Sequence, residues 1–146
     1  MTETDSSAAR AAMSPFTIAL AIGVGGFVGA LARFYIARAV GRAAGLEFSF
    51  LGTLTVNMTG CFAIGVLATI ATRTHYFSPA VQQCLLTGLL GSLTTFSTFA
   101  LDSLNLLQDG RTAAAVFNIS VNLVAGLFLV WLGMLVTAPL VSASEL

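Results

Sequence analysis

The chain has 146 residues, of which 57% are hydrophobic and only 8% charged, and its formal net charge is zero. Soluble domains carry about a quarter charged residues, so this composition excludes a soluble protein and indicates an integral membrane protein. The balanced charge and the lack of a basic run argue against a nucleic-acid partner.

Apolar stretches divide the chain into four segments, each longer than the roughly 20 residues that a helix needs to cross the hydrocarbon core. They are Pro15–Ala39, Phe48–Ala71, Pro79–Leu107 and Thr112–Thr137. The connections between them are short. The sequence therefore predicts an all-α membrane protein with one four-helix transmembrane domain over residues 15–137, an N-terminal tail over 1–14 and a C-terminal tail over 138–146.

The first predicted helix combines closely spaced glycines with an arginine. Gly25 and Gly29 are four residues apart, a spacing typical of membrane helices that pack closely against a neighbour. Arg33 interrupts the same apolar segment. It can be explained as a side chain that reaches toward the membrane interface, or as a cation at the mouth of an anion path. Its position favours neither explanation.

Polar residues recur at helical spacing in the second and fourth segments. Thr53, Asn57 and Gly60 share one helix face, and Asn118 and Asn122 share another. Such a face inside lipid must meet a partner helix or water. Helix–helix hydrogen bonds and a polar track along a pore both explain the pattern, and the two explanations are compatible.

The third segment contains the least usual stretch, Gly88–Phe99, which combines glycines, hydroxyl side chains and two phenylalanines. Glycine, serine and threonine weaken a helix. Lipid tolerates a weakened helix only where the freed backbone groups meet protein, water or an ion. We therefore predict that the third helix is broken and faces something polar. Phe96 and Phe99, three residues apart, should lie along one side, where core packing is the ordinary explanation.

The remaining side chains limit the chemistry. Asp102 is the one carboxylate expected at membrane depth, and neither a metal cluster nor a set of nucleophile, base and orienting residue can be assembled. An enzyme is thus the least favoured class, and the shortage of acids argues against cation or proton coupling. Hydroxyl and amide donors, together with the positive rims of phenyl rings, suit a small anion.

The arginines in the connections bear on orientation. Arg10 and Arg73 fall on one predicted side, and Arg38, Arg42 and Arg111 fall on the other. Positive charge normally collects on the cytoplasmic side. This near balance specifies orientation weakly and is compatible with insertion in both directions and with pairing as an antiparallel dimer.

Three stretches carry recognisable motifs: a first-helix glycine and arginine motif, a second-helix motif and a specific third-helix signature, at Gly26–Phe34, Gly52–Gly60 and Gly88–Phe99. Together they resemble a known family, the Fluc/CrcB fluoride channels. The resemblance implies an antiparallel, dual-topology homodimer in the bacterial inner membrane. It also implies two pores for passive fluoride efflux, giving resistance to fluoride toxicity.

The resemblance also implies roles for individual residues. Phe96 and Phe99 would contact fluoride with their ring edges, Asn57 would line the same path, and Arg33 would face the vestibule. A structural sodium ion would be held at the dimer centre by backbone carbonyls. These carbonyls would belong to Gly91 and Thr94. The hydroxyls near the pore would be those of Thr95, Ser97 and Thr98. The polar side chains of the fourth helix would be Asn118 and Asn122.

Some positions depart from the family pattern. Asn122 stands where serine is common, Asp102 where glutamate is common, and Thr55 where an apolar residue is usual.

The main alternative is a small multidrug-resistance type exporter, which exchanges protons through a glutamate in its first helix. No acidic residue occurs there, which argues against this alternative. The resemblance implies fluoride, the lipid bilayer and a second copy of the chain as partners.

Overall fold

The computed structural model describes residues 14–45, 48–74 and 76–142, and its regular structure is entirely helical. Within these residues, four helices are long and apolar enough to cross a membrane. They are Pro15–Ala44, Phe50–Arg73, Pro79–Gln108 and Thr112–Val141. The predicted all-α protein with four spanning helices is thereby confirmed.

The first two spans are continuous helices, α1 (Pro15–Ala44) and α2 (Phe50–Arg73). Helix α1 begins after Ser14, whose Oγ accepts a hydrogen bond from the Phe16 amide at 3.3 Å. It continues beyond the predicted end at Ala39 and stops before Gly45, at φ 92°. The predicted loop after Ala39 was wrong: Arg42, Ala43 and Ala44 favour a helix, and Gly41 before them does not end it.

The third span changes geometry along its length. It comprises α3 (Pro79–Gln82), a wide π-helical segment (Gln83–Leu90), α4 (Gly91–Leu93) and α5 (Phe96–Gln108). Between α4 and α5 the backbone is extended, with ψ 153° at Thr94 and φ −150°, ψ 115° at Thr95. Gly91 is itself helical, so the two adjacent threonines form the interruption.

The fourth span also contains a wide turn. It runs through α6 (Thr112–Ser120), a π-helical segment (Val121–Ala125) and α7 (Gly126–Ser142). Helix α7 passes through Pro139, so residues 138–142 of the predicted C-terminal tail are helical. Residues 1–13 and 143–146 of the predicted tails lie outside the described residues.

Glycines bring the backbones of neighbouring spans into contact. A methyl group added at Gly25 would overlap the Cys84 carbonyl, and one added at Gly29 would overlap the Leu89 carbonyl. The predicted close packing of these two glycines is confirmed, and its partner is the π-helical segment of the third span. The same kind of contact joins α2 to α7, where Gly65 lies against the Val130 carbonyl. These contacts align the spans around the interruption.

A Gly29→Ala variant should be destabilised, because its methyl group can only be accommodated by moving the backbone of the third span. We expect a cost of about 1–3 kcal/mol, as for other overpacked interiors. The measurement is the thermal unfolding midpoint in detergent. Gly23→Ala is the matched control, since nothing lies within 4 Å of its added methyl group. Equal midpoints for the two variants would contradict the packing argument.

Candidate functional site

Asn57 holds the extended backbone between α4 and α5. The Thr95 amide donates to Asn57 Oδ1 at 2.8 Å, and Asn57 Nδ2 donates back to the Thr95 carbonyl at 3.2 Å. In a continuous helix, the Thr95 amide would donate to the carbonyl of Gly91, four residues earlier. The side-chain amide thus replaces helical hydrogen bonds at a depth where lipid could not supply them.

The side chain of Thr95 then starts the next helix. Its Oγ1 accepts from the Thr98 amide at 3.3 Å, the usual role of a residue that caps a helix N-terminus. The same oxygen lies 3.3 Å from Ser97 Oγ and 3.0 Å from Thr98 Oγ1. Three of the predicted site hydroxyls therefore form one cluster at the beginning of α5.

Side-chain amides continue the polar contacts from α2 into the fourth span. Asn57 Nδ2 donates to Asn122 Oδ1 at 2.9 Å, and Asn122 Nδ2 donates to the Asn118 carbonyl at 2.9 Å and to Asn118 Oδ1 at 3.1 Å. Asn118 Nδ2 donates to Ser103 Oγ at 2.9 Å, and that hydroxyl donates to the Phe99 carbonyl at 2.8 Å. We call this series, from Thr95 to Phe99, the amide chain.

The two phenylalanines meet edge to face beside the amide chain. The ring centroids of Phe96 and Phe99 are 5.4 Å apart and their planes differ by 64°. Phe99 is buried, with 7% of its surface exposed, whereas Phe96 is 75% exposed. Core packing accounts for Phe99 but leaves Phe96 unexplained within a single chain.

A cleft of about 300 Å³ runs along these groups. It brings together seven of the predicted site residues from α2, the third span and the fourth span: Asn57, Gly91, Thr94, Thr95, Phe96, Phe99 and Asn122. The other four do not line it. Asn118 is buried behind Asn122, Ser97 and Thr98 belong to the hydroxyl cluster, and Arg33 is half-buried on α1.

Sequence reasoning missed Ser103, which closes the amide chain. It follows Phe99 by four residues on α5, so a serine hydroxyl at this position can reach the carbonyl one turn back. That contact alone is common in helices. Only the fold shows that Asn118, 1% exposed, donates to the same hydroxyl.

Asp102 lies in a separate, smaller cleft of about 190 Å³. The Thr53 hydroxyl donates to its carboxylate, and Oδ2 has no hydrogen-bond partner within the described part of the chain. Thr53 and Asn57, predicted on one face of α2, therefore serve two different clusters. Asp102 does not reach the cleft beside Phe96.

Comparison with known proteins identifies the family. The model of the family described as CrcB-like protein, Camphor Resistance (CrcB), matches residues 20–134. A fluoride-specific ion channel FluC of Hydrogenovibrio crunogenus is 41% identical over 114 residues, covering 78% of this chain and 86% of that protein.

Two further relatives carry the same name. The protein from Methylobacillus flagellatus is 42% identical over 113 residues, which are 77% of this chain and 88% of the relative. The protein from a Sulfurovum species is 42% identical over 127 residues, which are 84% of this chain and 94% of the relative. The chain, a multi-pass membrane protein with four spanning helices, therefore belongs to the CrcB family.

Proposed function

We propose that this protein is a fluoride-selective ion channel that gives passive fluoride efflux and so resistance to fluoride toxicity. The proposal is supported by relatives named fluoride-specific ion channels. The observation that carries it is the edge-on pair Phe96 and Phe99, which lines the cleft beside the Asn57-held interruption. Ordinary helix packing does not require the interruption, which places the two rings beside the cleft.

The cleft suits a small anion. The rim of a phenyl ring carries positive partial charge, and hydroxyl and amide groups donate hydrogen bonds. Such groups can replace the water around a strongly hydrated ion, and a narrow path excludes a larger one. Arg33 would face the vestibule and attract the anion, and Thr95, Ser97 and Thr98 would supply hydroxyls. Asn57, Asn118 and Asn122 would form the polar track, held by hydrogen bonds to one another.

A second copy of the chain completes the path in this proposal. Phe96 is 75% exposed at the edge of a cleft that Asn57, Thr95 and Asn122 line together with apolar side chains such as Ile64 and Leu123. A chain of four spans leaves little room for an enclosed route, whereas a partner can cover the cleft. The antiparallel, dual-topology homodimer would then contain two equivalent pores, one for each copy of the cleft, in the bacterial inner membrane.

A structural sodium ion fits the same segment. The Thr95 amide donates to Asn57 instead of to the Gly91 carbonyl, and Thr94 is extended. Carbonyl oxygens released from an interrupted membrane helix are suitable ligands for a hard monovalent cation. Gly91 and Thr94 would hold the ion at the dimer centre, where its charge would stabilise the contact between the two interrupted helices.

Efflux needs no energy source beyond the membrane potential. Hydrogen fluoride enters as a neutral molecule and ionises inside, where the anion is trapped. A negative-inside potential drives the anion outward with about 2.3 kcal/mol per charge per 100 mV. The small multidrug-resistance alternative remains disfavoured, because the first turn and the body of α1 carry no acidic residue.

Liposomes that contain the protein should release fluoride and retain chloride when an ionophore sets the membrane potential. A fluoride-selective electrode and a chloride-selective electrode measure the two fluxes, and protein-free liposomes are the control. If fluoride release equals that of the protein-free liposomes, the proposed function is wrong.

Replacing either ring, in Phe96→Ile or Phe99→Ile, should lower fluoride flux about 2- to 10-fold, since an aromatic edge contact is worth about 0.5–1.5 kcal/mol. Size-exclusion chromatography should show an unchanged oligomer. Phe117→Ile is the matched control, because Phe117 is half-exposed on α6 and does not line the cleft. Wild-type flux from both variants would remove the role of the rings.

Removing sodium should also lower the flux, because Gly91 and Thr94 would lose the cation between them. Liposomes dialysed into potassium at equal ionic strength provide the comparison, and flux should return when sodium is restored. Equal flux in the two salts would exclude a required sodium ion while leaving fluoride conduction intact.

A further inference from the structure

Asn122 contacts protein through every polar atom of its side chain. It lies in the π-helical segment of the fourth span, where Oδ1 accepts from Asn57 Nδ2 at 2.9 Å. Its Nδ2 donates to the Asn118 carbonyl at 2.9 Å and to Asn118 Oδ1 at 3.1 Å. An asparagine has two N–H donors. Both therefore have acceptors on Asn118, which leaves no N–H directed at an ion in the cleft.

The backbone of the fourth span determines the positions of the oxygen and the nitrogen in the Asn122 side-chain amide. A backbone carbonyl can only accept hydrogen bonds, so the Asn118 carbonyl requires the nitrogen of Asn122 on its side. The oxygen is then presented to Asn57. Because it can only accept, it requires the nitrogen of Asn57 in turn.

Asn57 thereby takes the orientation that the interruption needs. Its Oδ1 is left to accept from the Thr95 amide, and its second N–H donates to the Thr95 carbonyl. If the Asn57 side-chain amide were rotated by 180°, its oxygen would face the oxygen of Asn122. Its N–H groups would then face the N–H group of Thr95. Each such contact leaves a polar group unsatisfied at a depth without water.

We propose that Asn122 is a positioning residue of the fluoride path and not a ligand of the ion. It acts by holding Asn57 in the one orientation that keeps Thr94 and Thr95 extended. This role rests on the proposed fluoride channel, and it specifies what Asn122 does within the polar track that the resemblance implies. The site thus depends on a side chain of the fourth span whose hydrogen bonds go to Asn57 and Asn118 and not to Thr94 or Thr95.

Two substitutions that remove the amide with opposite changes in volume, Asn122→Leu and Asn122→Ala, test this role. Both should speed hydrogen exchange at the Thr95 amide about 3- to 10-fold, the factor expected when one supporting hydrogen bond is lost. Exchange is measured by mass spectrometry on the intact protein in lipid, and fluoride flux should fall in the same variants. Ser120→Ala, a neighbouring polar residue outside the amide chain, is the control that should leave exchange unchanged.

The effect should disappear when Asn57 is removed. In an Asn57→Ala background, adding Asn122→Leu should leave Thr95 exchange unchanged, because the residue acts through Asn57. Unaltered Thr95 exchange in both single variants, or a further change in the double variant, would overturn the positioning role. If wild-type liposomes conduct no fluoride, the proposed function is wrong, but the exchange results still decide how Asn122 acts.

Discussion

The reciprocal hydrogen bonds between the Asn57 side chain and the Thr95 backbone are the contact on which the site depends. A primary amide offers a donor and an acceptor side by side, so it pairs with one residue of extended backbone as a neighbouring strand would. In water such pairing is worth little, because the solvent competes. In a membrane, the same two bonds decide whether the chain can leave the helix at all.

Around this contact, one set of groups fixes the backbone of the third span and another set lines the cleft. Glycines of α1 lie against the carbonyls of Cys84 and Leu89 and fix the first half of the third span. The amide chain fixes the beginning of the second half from the opposite side. Phe96, which is 75% exposed, and the cleft lie beside the interruption that these two supports hold.

Sequence patterns predicted the features that repeat along the chain. Four spans follow from apolar length, and the α1 contact follows from the spacing of Gly25 and Gly29. Helix ends were less predictable, since α1 continues past Ala39 and through Gly41, although glycine disfavours a helix, and ends only before Gly45. The orientation of Asn122 and the part played by Ser103 depend on contacts between distant segments. No local pattern contains them.

The glycine contacts also have a consequence for motion. Where a carbonyl of one helix rests directly against the α-carbon of another, neither helix can slide or rotate without collision. The half of the third span that ends at Leu93 is therefore a rigid platform. Thr94 and Thr95 lie outside α4 and α5, so a movement of α5 relative to α1 would first change the torsion angles of these two residues and strain the hydrogen bonds to Asn57.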